Sequence, residues 1–222
     1  MIEYIYGRNN KNAVDKYCCM AVLAYKGIFM EKQMDYVIQM IREQICGAAE
    51  YIPQGCIWAV LTTAVILLPA AIWKIGFHKK IGRKFWWKLP PFFLFCMYSY
   101  CILQLTVFSR TPGEYGGIDM RFMAKWDEWY GEKAFFIENI IMFIPMGILL
   151  PMLVRWMKHI MIAFPAAMVA SICIEGIQLH YQLGFCQLDD VVANSIGFLI
   201  GFLLYLALYD LYLFGRKIIH YE

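Results

Sequence analysis

Apolar residues gather into five long runs, and the polar residues lie mostly in the connections between them. Residues 51–73 and 89–109 carry no charge, 134–154 carry the single acid Glu138, and 160–183 carry the single acid Glu175. The last run, 188–214, opens on Asp189 and Asp190 and meets Asp210 near its end. At about 1.5 Å of rise per residue, a helical run of roughly 20 residues matches the hydrocarbon thickness of a bilayer. Backbone polar groups in lipid must be satisfied internally, which leaves helices or a closed barrel. These runs are too long and continuous for barrel strands. The pattern therefore predicts an all-α, polytopic membrane helical bundle with about five transmembrane helices.

Ahead of them, residues 17–49 have the spacing of one or two short amphipathic helices. Met20, Leu23, Ala24 and Ile28 share one face, as do Met34, Val37, Ile38 and Ile41. This N-terminal amphipathic segment, 1–50, either lies along the membrane surface or forms a small subdomain packed on the helices. Charged residues from Glu3 to Lys16 precede any apolar stretch, so no secretory signal is expected. The chain then divides into a first transmembrane helix with a basic loop, 51–88, a membrane domain, 89–214, and a tail, 215–222.

Composition agrees with this division, since 222 residues that are 61% hydrophobic are too apolar for a soluble domain. The eight cysteines show no C-x-x-C spacing, and most read as small hydrophobes within or beside the runs. There is no basic–aromatic pattern, so nucleic acid is not an expected partner. Charge decides orientation. The 74–88 connection holds Lys74, Lys79, Lys80, Arg83, Lys84 and Lys88 and no acid, Arg155 and Lys158 follow the third run, and Arg216 and Lys217 follow the fifth. Basic connections mark the cytoplasmic side. That rule puts 110–133, 184–188 and the N-terminal 50 residues outside. Trp126, Trp129 and Tyr130 in the long outer loop fit either an interfacial belt or simple packing.

Polar residues within the runs then share one depth. Arg110 closes the second run, Glu138 and Asn139 open the third, Glu175 and Gln178 lie one turn apart on the fourth, and Asp189, Asp190 and Asn194 open the fifth. Gln182 is expected on the Glu175 face, one turn further on. Such groups are costly in lipid and persist when they face one another or a wet cavity. Asp190, Asn194, Gly197 and Gly201 fall on one helical stripe, and Gly197-x-x-x-Gly201 allows close approach of another helix. Either acid also suits a helix N-terminus as a cap. Pro145 and Gly147 predict a kink in the third helix. Ile148, Leu149, Ile162, Phe164, Leu203 and Leu206 are expected to seal the opposite half.

Four stretches, FSRTP at 108–112, ENIIMFIPMGILLP at 138–151, IEGIQ at 174–178 and LDDVVANSIGFLIG at 188–201, together resemble the VanZ-like family of small bacterial membrane proteins. The resemblance covers roughly residues 90–205. It implies a helical domain in a bacterial cell membrane and a link to resistance to glycopeptides of the teicoplanin type, with no agreed catalytic activity or cofactor. The matching polar positions are Arg110, Glu138, Asn139, Glu175, Gln178, Asp189, Asp190 and Asn194. Two positions depart: Gly184 stands where the family pattern has an arginine, and Gln187 where it has an aspartate. Arg110, Arg121 and Lys125 are the candidates to replace that arginine.

Two functions follow as expectations. One is binding of a lipid-linked cell-wall precursor or a lipoglycopeptide in an outer-leaflet polar pocket, with membrane lipids as partners. Arg110 would meet phosphate or carboxylate there, and the acids and amides would hold sugar, peptide or amine groups. The other is an intramembrane enzyme using its carboxylates as acid and base, or as oxygen ligands for a divalent cation. No zinc, nucleophile or phosphate-loop motif is present. A purely structural role for the polar groups, fixing helix register, is a third reading.

Overall fold

The computed structural model describes residues 11–77, 83–113, 115–123, 126 and 130–219. Among the described residues, seven α-helices run α1 Lys11–Glu50, α2 Ile52–Phe77, the short α3 Arg83–Trp86, α4 Leu89–Leu103, α5 Tyr130–Leu153, α6 Ile160–His180 and α7 Leu188–Ile219. A π-helical turn, Gln104–Phe108, prolongs α4, and a 3-10 turn, Arg155–Lys158, links α5 to α6. Helices α2, α4 with its turn, α5, α6 and α7 are each long and apolar enough to cross a membrane. They fall on the five apolar runs, and the chain is a multi-pass membrane bundle.

Where the structure differs from the pattern, local chemistry accounts for it. The N-terminal segment is one continuous helix of 40 residues rather than one or two short ones. It contains no proline, and a single interior glycine such as Gly27 costs only about 1 kcal/mol, too little to break a helix of that length. Gln182 does not continue α6. The helix ends at His180, and Gln182 adopts a left-handed φ of 52° in the turn beyond. Two strands, β1 Tyr115–Asp119 and β2 Leu183–Gln187, pair in parallel with Tyr115 opposite Leu183 and Asp119 opposite Gln187. They form a small ribbon at one end of the bundle where the pattern indicates only connections.

Helix α2 packs on α4, α4 on α5, α5 on α7 and α7 on α6, with α1 against α5. The ribbon fixes the connection after α4 and the one after α6 at the same end. Tyr51 and Ser109, whose hydroxyls are 2.7 Å apart, bring the start of α2 there as well. At the opposite end the Lys88 ammonium donates to the Leu153 carbonyl at 2.9 Å.

The core forms between α5, α6 and α7 around Phe143, Ala163, Ala167, Phe198 and Phe202. Small residues at four-residue spacing on α6 make a groove for the phenylalanines of α7. Of the residues expected to seal this half, Leu149 is buried, but Ile162, Leu203 and Leu206 face outward on the bundle surface. Apolar side chains gain no more from burial than from lipid here, so hydrophobicity alone did not separate inward from outward positions.

Candidate functional site

Four helices and one strand build a polar site beneath the ribbon. Gln178 is 3% exposed, and its side-chain amide donates to the Thr106 carbonyl at 3.0 Å. Thr106 lies in the π turn, where backbone bonding is rearranged and Ser109 N donates to the Gln104 carbonyl at 2.9 Å. The Gln178 bond therefore ties α6 to the turn that delivers Arg110. Arg110 is exposed at the rim and its Nη1 donates to the Leu183 carbonyl of β2 at 3.4 Å.

Glu175 and Asp190 lie near enough to Arg110 to interact electrostatically, without a direct ion pair among the described residues. Glu175, 3% exposed, accepts a hydrogen bond from the Gln187 backbone N–H at 3.1 Å. Asp190 accepts from the Asn139 side-chain amide at 2.6 Å, which joins α7 to α5. Glu175 and Asp190 act on each other electrostatically, and Arg110 acts on both. One turn deeper, Asn194 is 2% exposed and donates to the Ser171 hydroxyl at 2.9 Å, joining α7 to α6. Its Oδ1 is buried and has no partner among the described residues.

Arg110, Asn139, Glu175 and Asp190 thus meet, Asn194 lies below them and Gln178 flanks them. Two candidates stand apart. Both oxygens of Asp189 accept from the Met123 backbone N–H, at 3.0 and 3.1 Å, so this acid holds the β1–α5 loop where Met123 takes a left-handed φ of 55°. Glu138 follows a different face of α5, about 100° round from Asn139. It is half-buried and makes no hydrogen bond or ion pair among the described residues.

The departure at Gly184 acquires a physical reading. A Cβ at Gly184 would stand 2.8 Å from Arg110 Nη1, so the missing side chain leaves room for the guanidinium to lie on β2. Of the other candidates to replace the arginine, Arg121 pairs with Asp119 at 3.0 Å, and Lys125 lies outside the described residues. In the same loop the Trp126 ring packs edge-on to Phe136, 5.6 Å between centroids, while the side chains of Trp129 and Tyr130 lie outside the described residues.

Four contributors do not stand out in the sequence. Ser171 continues the Glu175–Gln178 stripe one turn inward, a spacing that could have revealed it. Glu132, two turns before Asn139 on α5, acts electrostatically on Asp190. The Gln187 N–H belongs to a strand, which no helical pattern shows. Cys186 of β2 feels both Glu175 and Asp190.

Burial pushes the Cys186 thiol above its ordinary value, and the two carboxylates push it further in the same direction. A raised thiol holds less thiolate at a given pH and alkylates more slowly. With Cys186 as the sole cysteine, the pH midpoint of iodoacetamide reaction is expected above that of a free thiol, and Glu175→Gln should move it down. A midpoint indifferent to Glu175→Gln would show that the carboxylate does not face β2.

Residues 18–209 match the family model VanZ/LLP1, so the match runs back through α2 and into α1. No curated protein and no solved structure matches the chain.

Proposed function

Because the chain belongs to the VanZ/LLP1 family, we propose that it is a bacterial envelope protein whose polar site opens to the outer leaflet. There it binds the head of a lipid-linked cell-wall precursor or a lipoglycopeptide and supports resistance to teicoplanin-type glycopeptides. The observation that carries this reading is the placement of Arg110, exposed at the rim, bonded to the β2 backbone and acting on the buried Glu175 and half-buried Asp190. A guanidinium presents five N–H donors in a planar fork, and the bond to Leu183 uses one, leaving others for a phosphate or carboxylate. Exposed Phe108, Ile118 and Phe122 at the same end give an acyl chain an apolar lip. The basic residues Lys88, Arg155 and Lys158 gather at the opposite end, which the charge rule assigns to the cytoplasm.

In a glycopeptide-sensitive host, expression of the chain should raise the inhibitory concentration of teicoplanin. The triple change Arg110→Gln, Glu175→Gln, Asp190→Asn should return it to background at equal abundance in the membrane. Each charge-assisted hydrogen bond lost is worth about 1.5–3 kcal/mol, or roughly tenfold to a hundredfold in affinity. Protection that survives the triple change rules the reading out.

The Glu175–Asp190 pair also favours a second reading, an intramembrane enzyme that uses one acid to donate and the other to accept a proton at a lipid-linked substrate. Its signature is a mass change in that substrate after incubation with the purified protein, lost on Glu175→Gln.

A further inference from the structure

The hydrogen bonds of the site are incomplete among the described residues. Glu175 and Asp190 act on each other, and Arg110 is the cation that acts on both among those residues. Asp189 is engaged with the Met123 N–H through both oxygens. Glu175 uses Oε2 for the Gln187 N–H and Asp190 uses Oδ1 for Asn139, so each keeps one oxygen without a hydrogen bond among the described residues. A third acceptor, independent of the acids, is Asn194 Oδ1, buried and unpartnered one turn below Asp190. Its amide nitrogen is committed to Ser171, one turn below Glu175 on the facing helix. The pair therefore lies one turn below the two acids.

A buried acceptor without a donor is unfavourable. It calls for a hydrogen-bond donor, and two carboxyls beside it favour a donor that carries positive charge. A divalent metal ion fits poorly, because among the described residues no three His, Cys, Asp or Glu side chains gather to hold one. A primary ammonium carries one positive charge and three N–H donors, matching in number the three acceptor oxygens that have no donor among the described residues.

We propose that the site takes a zwitterionic head group, its primary ammonium set among Glu175, Asp190 and Asn194 and its anionic group on Arg110. This deepens the binding role proposed above and rests on it. The amine can belong to a lipid head group of the phosphoethanolamine type or to the lipoglycopeptide itself, since the recognising chemistry is the same. Glu175 and Asp190 supply the charge, Asn194 sets the depth, and Arg110 fixes the direction in which the head group lies.

The test varies the ligand first, so the wild-type fold is untouched. Purified full-length protein in detergent is titrated with dioctanoyl phosphatidylethanolamine and with its N-acetylated form. In parallel arms it is titrated with teicoplanin and N-acetylated teicoplanin. Amine selectivity of about tenfold or more is expected in at least one arm, since a charged donor set is lost on acetylation. The arm that responds identifies the source. Glu175→Gln and Asn194→Ala, each checked for monodisperse elution, should reduce that selectivity, whereas Arg110→Gln should weaken the amine and its acetylated form alike. Equal binding of both forms in both arms, still abolished by Arg110→Gln, overturns the ammonium inference and leaves the pocket standing. Absence of binding in all arms overturns both.

Discussion

Replacing Gly201 with leucine should abolish the folded bundle, and replacing it with alanine should cost about 2–3 kcal/mol, near the upper part of the range for overpacked interiors. Gly201 on α7 faces Gly147 on α5, and Gly197 faces the Ile140 backbone one turn away. A Cβ at Gly201 would run into the Ile144 carbonyl and stand 3.0 Å from Gly147 Cα, and one at Gly197 would run into the Ile140 carbonyl. A Cβ at Gly147 would in turn run into the Phe198 carbonyl and stand 2.7 Å from Phe202 N. These obstacles are backbone atoms, which cannot rotate away as a side chain would. Lipid offers no hydrophobic force to press the helices back together, so close packing is the main attraction lost. The measurement is thermal unfolding followed by fluorescence-detected gel filtration, with Gly176→Ala as the control. Nothing lies within 4 Å of a Cβ at Gly176, and alanine there should be neutral or stabilising, because glycine in a helix costs about 0.5–1 kcal/mol relative to alanine. A Gly201→Leu protein that melts with the wild type would mean that α5 and α7 are not in backbone contact. The same seam sets the rotation of α7, and hence the meeting of Asp190 with Asn139.

A carboxylate at position 178 is the second change with a large expected effect. Gln178→Glu should destabilise the protein by about 3–5 kcal/mol, as uncompensated buried charges do. Gln178→Leu should cost about 1–3 kcal/mol, the range for a buried hydrogen bond with one partner left unsatisfied. The difference arises because the Gln178 amide donates to the Thr106 carbonyl in a 3%-exposed position. Leucine removes the donor, whereas a carboxylate places a second acceptor against the first. Both variants also loosen the π turn that carries Arg110. Equal melting of Gln178→Glu and the wild type would show that the amide has another partner in the membrane.

The site was legible in the sequence to a particular depth. Charged and amide side chains on otherwise apolar helices mark positions that lipid cannot tolerate, which singles out Arg110, Asn139, Glu175, Gln178, Asp190 and Asn194. The same reasoning included Glu138 and Asp189, because intolerance of lipid says only that a polar group needs a partner, without naming it. Asp189 finds a backbone N–H in the β1–α5 loop. Glu138 lies on a neighbouring face of α5, apart from the acids. Ser171 carries no such mark, because a hydroxyl can satisfy itself on its own helix, as Ser195 does with the Val191 carbonyl at 2.7 Å. The ribbon was out of reach, because a five-residue strand shows itself through its partner, and that partner lies on the far side of two membrane helices.

The sequence by itself determined the number and extent of the membrane helices, the alternation of their ends and the close α7 contact at Gly197-x-x-x-Gly201. Each of these follows from one segment meeting a uniform solvent, so composition and spacing suffice. Tertiary structure alone decided which polar groups meet, that Arg110 rests on β2 over Gly184, that Gln178 serves the π turn, and that three acceptor oxygens have no donor among the described residues. Those outcomes depend on the rotation of each helix about its axis and on hydrogen bonds between distant segments. Lipid does not distinguish one apolar face from another, so contact between backbones sets the rotation.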